Sequence, residues 1–157
     1  MAQEKNDGAV PVVLVVDDNK QNLELLLAYL EDVDCRTIAA ADGLEAIDIV
    51  RQTLPDLILL DVMMPKMSGF EVCRRLKNDP KTAEIPIIMV TALNELGDIE
   101  RAINSGTDDF LSKPVNKWEL ITRVRTMLKL KHLTDKLERT LVYLSEVESH
   151  VQSRNAE

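Results

Sequence analysis

The chain has 157 residues, 45% of them apolar, with 19 Lys and Arg against 27 Asp and Glu, a net charge of −8. This length suits one domain with an appendage, and the apolar share is enough for a core. The negative balance argues against direct nucleic-acid binding, which needs a basic face for the phosphates. Residues 129–157 hold five Lys or Arg and five Asp or Glu, so the whole excess falls on residues 1–128.

Residues 1–9 are polar and read as a flexible tail, without the apolar stretch of a signal peptide. No run approaches membrane-spanning length, so no membrane partner is expected. Cys35 and Cys73 both sit in apolar segments and read as reduced core residues, as in a cytoplasmic protein.

Val12–Val16 is an unbroken apolar run, the pattern of a strand buried on both faces. Residues 22–31 carry Leu23, Leu26, Leu27 and Leu30 at helical spacing. Residues 35–39 form a short strand. A helix follows over 44–52, with Leu44, Ile47 and Val50 on its inner face. The run 57–60, between Pro55-Asp56 and Pro65, is a third strand. Residues 70–77 are helical, with Phe70, Cys73 or Arg74, and Leu76 inward. Pro86 opens a fourth strand at 87–90, and 99–104 is a helix ended by a left-handed cap at Gly106. Residues 109–111 are a short fifth strand, and the chain is helical again from Lys117. Strands and helices that alternate in this way specify a parallel sheet covered on both faces. The expected fold is α/β, a doubly wound five-stranded sheet in the flavodoxin-like order 2-1-3-4-5 with an extended C-terminal helix.

From Leu130 the spacing changes to a heptad: Leu130, Leu133, Leu137, Thr140, Leu144, Val147 and Val151, with Leu141 beside Thr140. Two readings are open. The helix folds back on its own domain, or it forms a parallel coiled-coil dimer or signalling linker; the second is preferred, because the stripe outlasts the domain. The division is therefore a tail at 1–9, a domain at 10–129 and a helical coiled-coil tail at 130–157.

The chemistry gathers at strand ends. Asp61 follows the run 57–60, and Asp17 and Asp18 follow Val12–Val16. In open α/β sheets the carboxyl ends of the strands form the ligand crevice. Three carboxylates there repel one another unless a cation sits among them, and Mg²⁺ prefers such oxygen ligands. Side chains alternate along an extended strand, so only one of the pair points straight into the site. Asp18 is taken to face the metal, with Asp17 assisting. Thr91 ends the fourth strand, where its hydroxyl can meet a phosphoryl oxygen, and the small Ala92 leaves room beside it. Lys113 follows the fifth strand, before a Pro114 suited to a cis bond, and would offset the acids. A carboxylate nucleophile, a divalent cation, a hydroxyl and an ammonium describe a phosphoryl-transfer site that works by positioning and charge neutralisation. His132 and His150 lie in the tail, and no Gly-rich phosphate loop occurs.

Four segments, Val15-Val16-Asp17-Asp18-Asn19, Leu59-Leu60-Asp61-Val62-Met63-Met64-Pro65, Val90-Thr91-Ala92 and Lys113-Pro114, resemble in order and spacing the receiver domain of bacterial two-component response regulators, chemotaxis regulators among them. The likeness runs over about residues 10–130. It implies that Asp61 takes a phosphoryl group from a histidine kinase or phosphotransfer protein. It implies Mg²⁺ held by Asp18, Asp61 and the main-chain carbonyl of Met63, with Asp17 assisting. It implies that Thr91 and Lys113 contact the acyl phosphate, and that Phe110 is the switch aromatic. Such a protein is a signalling phosphoacceptor rather than an enzyme. The resemblance also implies an output domain, missing from these residues; the tail is similar to helical linkers that precede cyclic-di-GMP cyclase, HD-type phosphodiesterase or phosphatase outputs. An aspartyl phosphatase of the haloacid-dehalogenase type would need a second acid at position 63, which is Met. The remaining alternative is a phosphorylation-independent interaction module acting through its coiled coil.

Overall fold

The computed structural model describes residues 9–92 and 96–156, with side chains described outside 93–98. The expected tail at 1–9 lies outside that range but for Ala9. Strands β1 (Val12–Val16), β2 (Arg36–Ala40), β3 (Leu57–Asp61), β4 (Ile87–Thr91) and β5 (Asp109–Ser112) form one parallel sheet in the order β2-β1-β3-β4-β5. They alternate with helices α1 (Lys20–Leu30), α2 (Gly43–Thr53), α3 (Gly69–Asn78), α4 (Leu96–Asn104) and α5 (Lys117–Asn155). This is the expected flavodoxin-like order with a long C-terminal helix.

Capping chemistry sets the helix starts. Asn19, Asp42, Ser68 and Asn116 each accept a hydrogen bond from the backbone N–H three residues on, satisfying a donor with no partner inside the helix. The cap at Asn19 explains why α1 begins at Lys20 rather than at 22. Gly106 takes φ +91° after α4, the left-handed cap expected there.

The strands alternate their side chains between two cores. Leu14, Val16, Ile58, Leu60, Ile87 and Met89 pack with α2, α3 and Ala102 of α4. Val13, Val15, Leu57, Leu59, Ile88, Val90 and Leu111 pack with α1 and α5. Of the expected inner face of α2, Ile47 and Val50 are buried but Leu44 is 56% exposed. The buried stripe starts one residue earlier, at Gly43, whose missing side chain leaves room for Val72 and Met67. In α3, Cys73 rather than Arg74 turns inward, and its thiol donates to the Ser105 carbonyl at 3.3 Å. Both cysteines are free.

α5 runs unbroken for 39 residues, about 58 Å at 1.5 Å per residue. Leu120, Ile121 and Val124 are buried against the sheet, and Met127 and Leu128 are half-buried. Beyond them the stripe leaves the domain: Leu130, Leu133, Leu137, Leu141, Leu144, Val147 and Val151 are all between 41% and 58% exposed. Among the described residues nothing covers this face, so the fold-back reading finds no support there. Among the described residues, no helix is long and apolar enough to cross a membrane.

Candidate functional site

Strand register brings the acids together. Val16 pairs with Leu60, so the next residues, Asp17 and Asp61, stand level on adjacent central strands. Both continue the parity that faces α1 and α5. Asp17 is 1% exposed and Asp61 3% exposed. Asp18 has the other parity and is exposed. Of the acidic pair, Asp17 is thus the buried member that meets Asp61, and Asp18 reaches the site from its rim. One oxygen from each of Asp17, Asp18 and Asp61 lies within 4.8 Å of the others.

Lys113 enters from the end of β5, before a cis Lys113–Pro114 bond. Its Nζ donates to Asp17 Oδ2 at 3.2 Å and to Asp61 Oδ1 at 3.3 Å. The remaining Asp17 oxygen accepts from the Asn19 N–H at 2.9 Å. Asp61 Oδ1 also accepts from the Met63 N–H at 3.4 Å. Burial, then the Asp17 charge, push the Asp61 carboxyl up to about 6, and Lys113 only partly opposes them. For Lys113 itself burial works downward, but the attraction of Asp61 and Asp17 outweighs it and holds the ammonium above its usual value. One ammonium is therefore too little for the acids it faces, and the site remains short of positive charge.

Thr91 ends β4 on the opposite parity, and its main-chain carbonyl accepts from the Lys113 N–H at 2.8 Å. Among the described residues its buried hydroxyl Oγ1 has no hydrogen-bond partner. An unpaired buried hydroxyl costs on the order of 1–3 kcal/mol, so the position could accommodate a ligand atom. Phe110 lies one strand over on the same sheet face. It pairs in register with Met89 and is half-buried against the core that includes Ala102 of α4. On that face the Arg101 guanidinium of α4 sits 4.7 Å above the Phe70 ring.

The family follows from comparison. The response regulator receiver domain model matches residues 13–125. The chain belongs to the response regulator receiver domain family. This receiver is 46% identical over 125 residues to the response regulator PleD of Caulobacter vibrioides, covering 80% of this chain and 28% of that protein. It is 39% identical to the polar-differentiation response regulator DivK of Brucella anthropi, over 74% of this chain and 94% of that one. Against the DNA-binding dual master transcriptional regulator RpaA of Synechocystis, identity is 40% over 76% of this chain and 50% of the relative. The chain thus spans about a quarter to a half of the length of PleD and RpaA. Among solved structures, the receiver domain of a signal transduction histidine kinase from Syntrophus aciditrophicus superposes with TM-score 0.73 at 36% identity, covering 76% of this chain and 91% of that one. The chemotaxis response regulator CheY4 of Vibrio cholerae gives 0.71 at 28% identity, over 76% and 99%. Membership supports a role in two-component signalling as a phosphoacceptor.

One residue that shapes the site of this receiver escaped the sequence reading. Gly69 opens α3 directly beneath the end of β3. An added Cβ there would collide with the main-chain oxygen of Asp61 and crowd Val62. Its only sequence signal is a glycine directly after the Ser68 cap.

Proposed function

We propose that this receiver takes a phosphoryl group onto Asp61 from the phosphohistidine of a histidine kinase or phosphotransfer protein. The observation that carries the reading is Asp61 itself, a buried carboxylate at a central strand end that faces an ammonium and two further acids, with Thr91, whose buried hydroxyl is unpartnered among the described residues, ending the next strand. Mg²⁺ would be held by Asp17, Asp18, Asp61 and the Met63 main-chain carbonyl, and would supply the charge neutralisation that Lys113 alone does not. The chemistry of the donor set fits, because three oxygen ligands come within 4.8 Å with excess negative charge. Asp61 attacks the phosphorus, the histidine nitrogen leaves, and Lys113 and Thr91 bind the oxygens of the transferred group. The chain assists its own phosphorylation and dephosphorylation but is not an enzyme acting on a separate substrate. For the docking partner, a groove of about 460 Å³ runs from Lys113 and Pro114 to Leu25 and Tyr29 of α1.

Transmission uses the face made by α4, β5 and α5. A phosphoryl group on Asp61 draws the Thr91 hydroxyl, and Phe110 on the same sheet face turns into the space released, which biases a two-state element. α5 carries that bias into a tail at 130–157 that pairs with a second copy of the chain, the receiver unit being 10–129. Any output domain would act beyond that tail, in the cytoplasm.

The test is the intact mass of the chain after incubation with Mg²⁺ and a small phosphodonor. One phosphoryl adduct is expected, absent in Asp61→Asn and abolished by a chelator. No adduct under any condition would leave a phosphorylation-independent module, a reading favoured only by the exposed stripe on α5. A chain ending at residue 129 is expected to take up phosphoryl at an unchanged rate but to sediment as a monomer. If it still pairs, the tail is not the pairing element.

A further inference from the structure

The apolar surface of the tail is wider than a pair of helices can cover. In heptad terms Leu130, Leu137, Leu144 and Val151 take the a positions, and Leu133, Thr140 and Val147 the d positions. Parallel two-stranded coils favour β-branched residues at a with Leu at d, whereas Leu at a with Ile at d shifts the preference to trimers and tetramers. The two central heptads share the shape of the second pattern, Leu at a with a β-branched residue at d: Leu137 with Thr140 and Leu144 with Val147. Thr140 does not break such a core, because its hydroxyl donates to the Lys136 carbonyl of its own helix at 2.9 Å and leaves the methyl free to pack.

The flanking positions agree. Leu141 at e and Tyr143 at g are 56% and 63% exposed. In a parallel pair, g of one helix faces e of the other, five residues on. Leu141 then meets Lys136 of the second copy, and Tyr143 meets its Glu148, so neither contact is an ion pair of the kind that usually closes a two-stranded edge. Each edge of the pair would leave a leucine and a tyrosine to water. With four helices the e and g positions turn inward against neighbouring helices, and both side chains are covered. Charge does not oppose the gathering, since residues 129–157 carry as many positive as negative groups.

We propose that the tail assembles as a four-stranded parallel bundle, two pairs of this chain joining through Leu141 and Tyr143. The proposal rests on the pairing reading above, and the occupant of the flank is a second pair of the same chain. Sedimentation equilibrium on the full chain at micromolar concentration tests it. The expected mass is about four times that of one chain. The double variant Leu141→Glu with Tyr143→Lys supplies the missing edge charges, placing Glu opposite Lys136 and Lys opposite Glu148. It is expected to fall to two chain masses with helix content by circular dichroism unchanged. A wild-type mass of two chains overturns the four-stranded bundle and leaves pairing intact, while a mass of one chain overturns both. A double variant that stays at four chain masses shows that this flank is not the joining surface.

Discussion

At pH 7.5 without divalent cation, Asp61→Asn is expected to be more stable than the wild type by about 1–2 kcal/mol. The carboxyl is raised from 3.8 to about 6 by burial and by Asp17. The native chain therefore holds this proton more tightly than the unfolded chain does. The neutral group's contribution is complete below pH 4 and is lost as pH climbs through about 6. Above that pH the buried charge costs up to about 3 kcal/mol, at 1.36 kcal/mol for each pH unit. The amide removes this cost, but Lys113 loses one of its two carboxylate partners, which returns part of the gain. Urea midpoints at pH 7.5 and pH 4 measure the effect. The advantage of the variant should be clear at the higher pH and vanish at the lower. Saturating Mg²⁺ should raise the wild-type midpoint more than that of the variant, because a cation that binds only the native state stabilises by mass action. A variant less stable than wild type at pH 7.5 would mean that Lys113 already neutralises the site.

The legible part of this chain is the part written in apolar runs. Val12–Val16, 57–60 and 87–90 are buried on both faces of a parallel sheet, so they stand out as continuous apolar blocks, and the acids that end them mark the crevice. Short caps and side-chain parity were harder to read. Asn19 and Gly43 shift helix starts and inner faces by one or two residues, because one hydrogen bond or one absent Cβ decides them. The relation of Asp17 to Asp61 depends on interstrand register, which two isolated strand sequences do not contain. Once Val16 is known to pair with Leu60, Asp17 must stand beside Asp61, and Lys113 bonds to both. That the Thr91 hydroxyl lacks a partner among the described residues is likewise a property of assembled strands, invisible until its neighbours are in place. The tail is the reverse case. Its heptad is plain in the sequence, yet only the structure shows that the domain leaves the stripe uncovered.

Gly69→Ala is expected to damage stability and phosphoryl uptake together. Helix propensity alone favours alanine over glycine by about 1 kcal/mol in a helix interior, so a purely local view predicts a neutral or stabilising change. The packing says otherwise. The added methyl meets main-chain atoms of Asp61 and Val62, which cannot swing aside as a flexible side chain does. The Gly69 N–H also donates to the Val62 carbonyl at 2.9 Å, pinning the start of α3 to this turn. Within the same turn Lys66 already holds φ at +68°, so little conformational slack remains. Relief requires α3 to withdraw or the end of β3 to move, and either displaces Asp61 from Lys113. Overpacking of this kind costs about 1–3 kcal/mol, and a main-chain obstacle belongs at the upper end. Gly106→Ala is the control. It strains a left-handed position by about 1 kcal/mol at the end of α4, where the nearest described atoms to the added Cβ belong to the Lys77 side chain. Denaturant midpoints and single-turnover phosphorylation rates separate the two. Both variants should lose stability, but only Gly69→Ala should also phosphorylate slowly. Normal phosphorylation in a Gly69→Ala chain of wild-type stability would show that the contact with Asp61 relaxes at no cost.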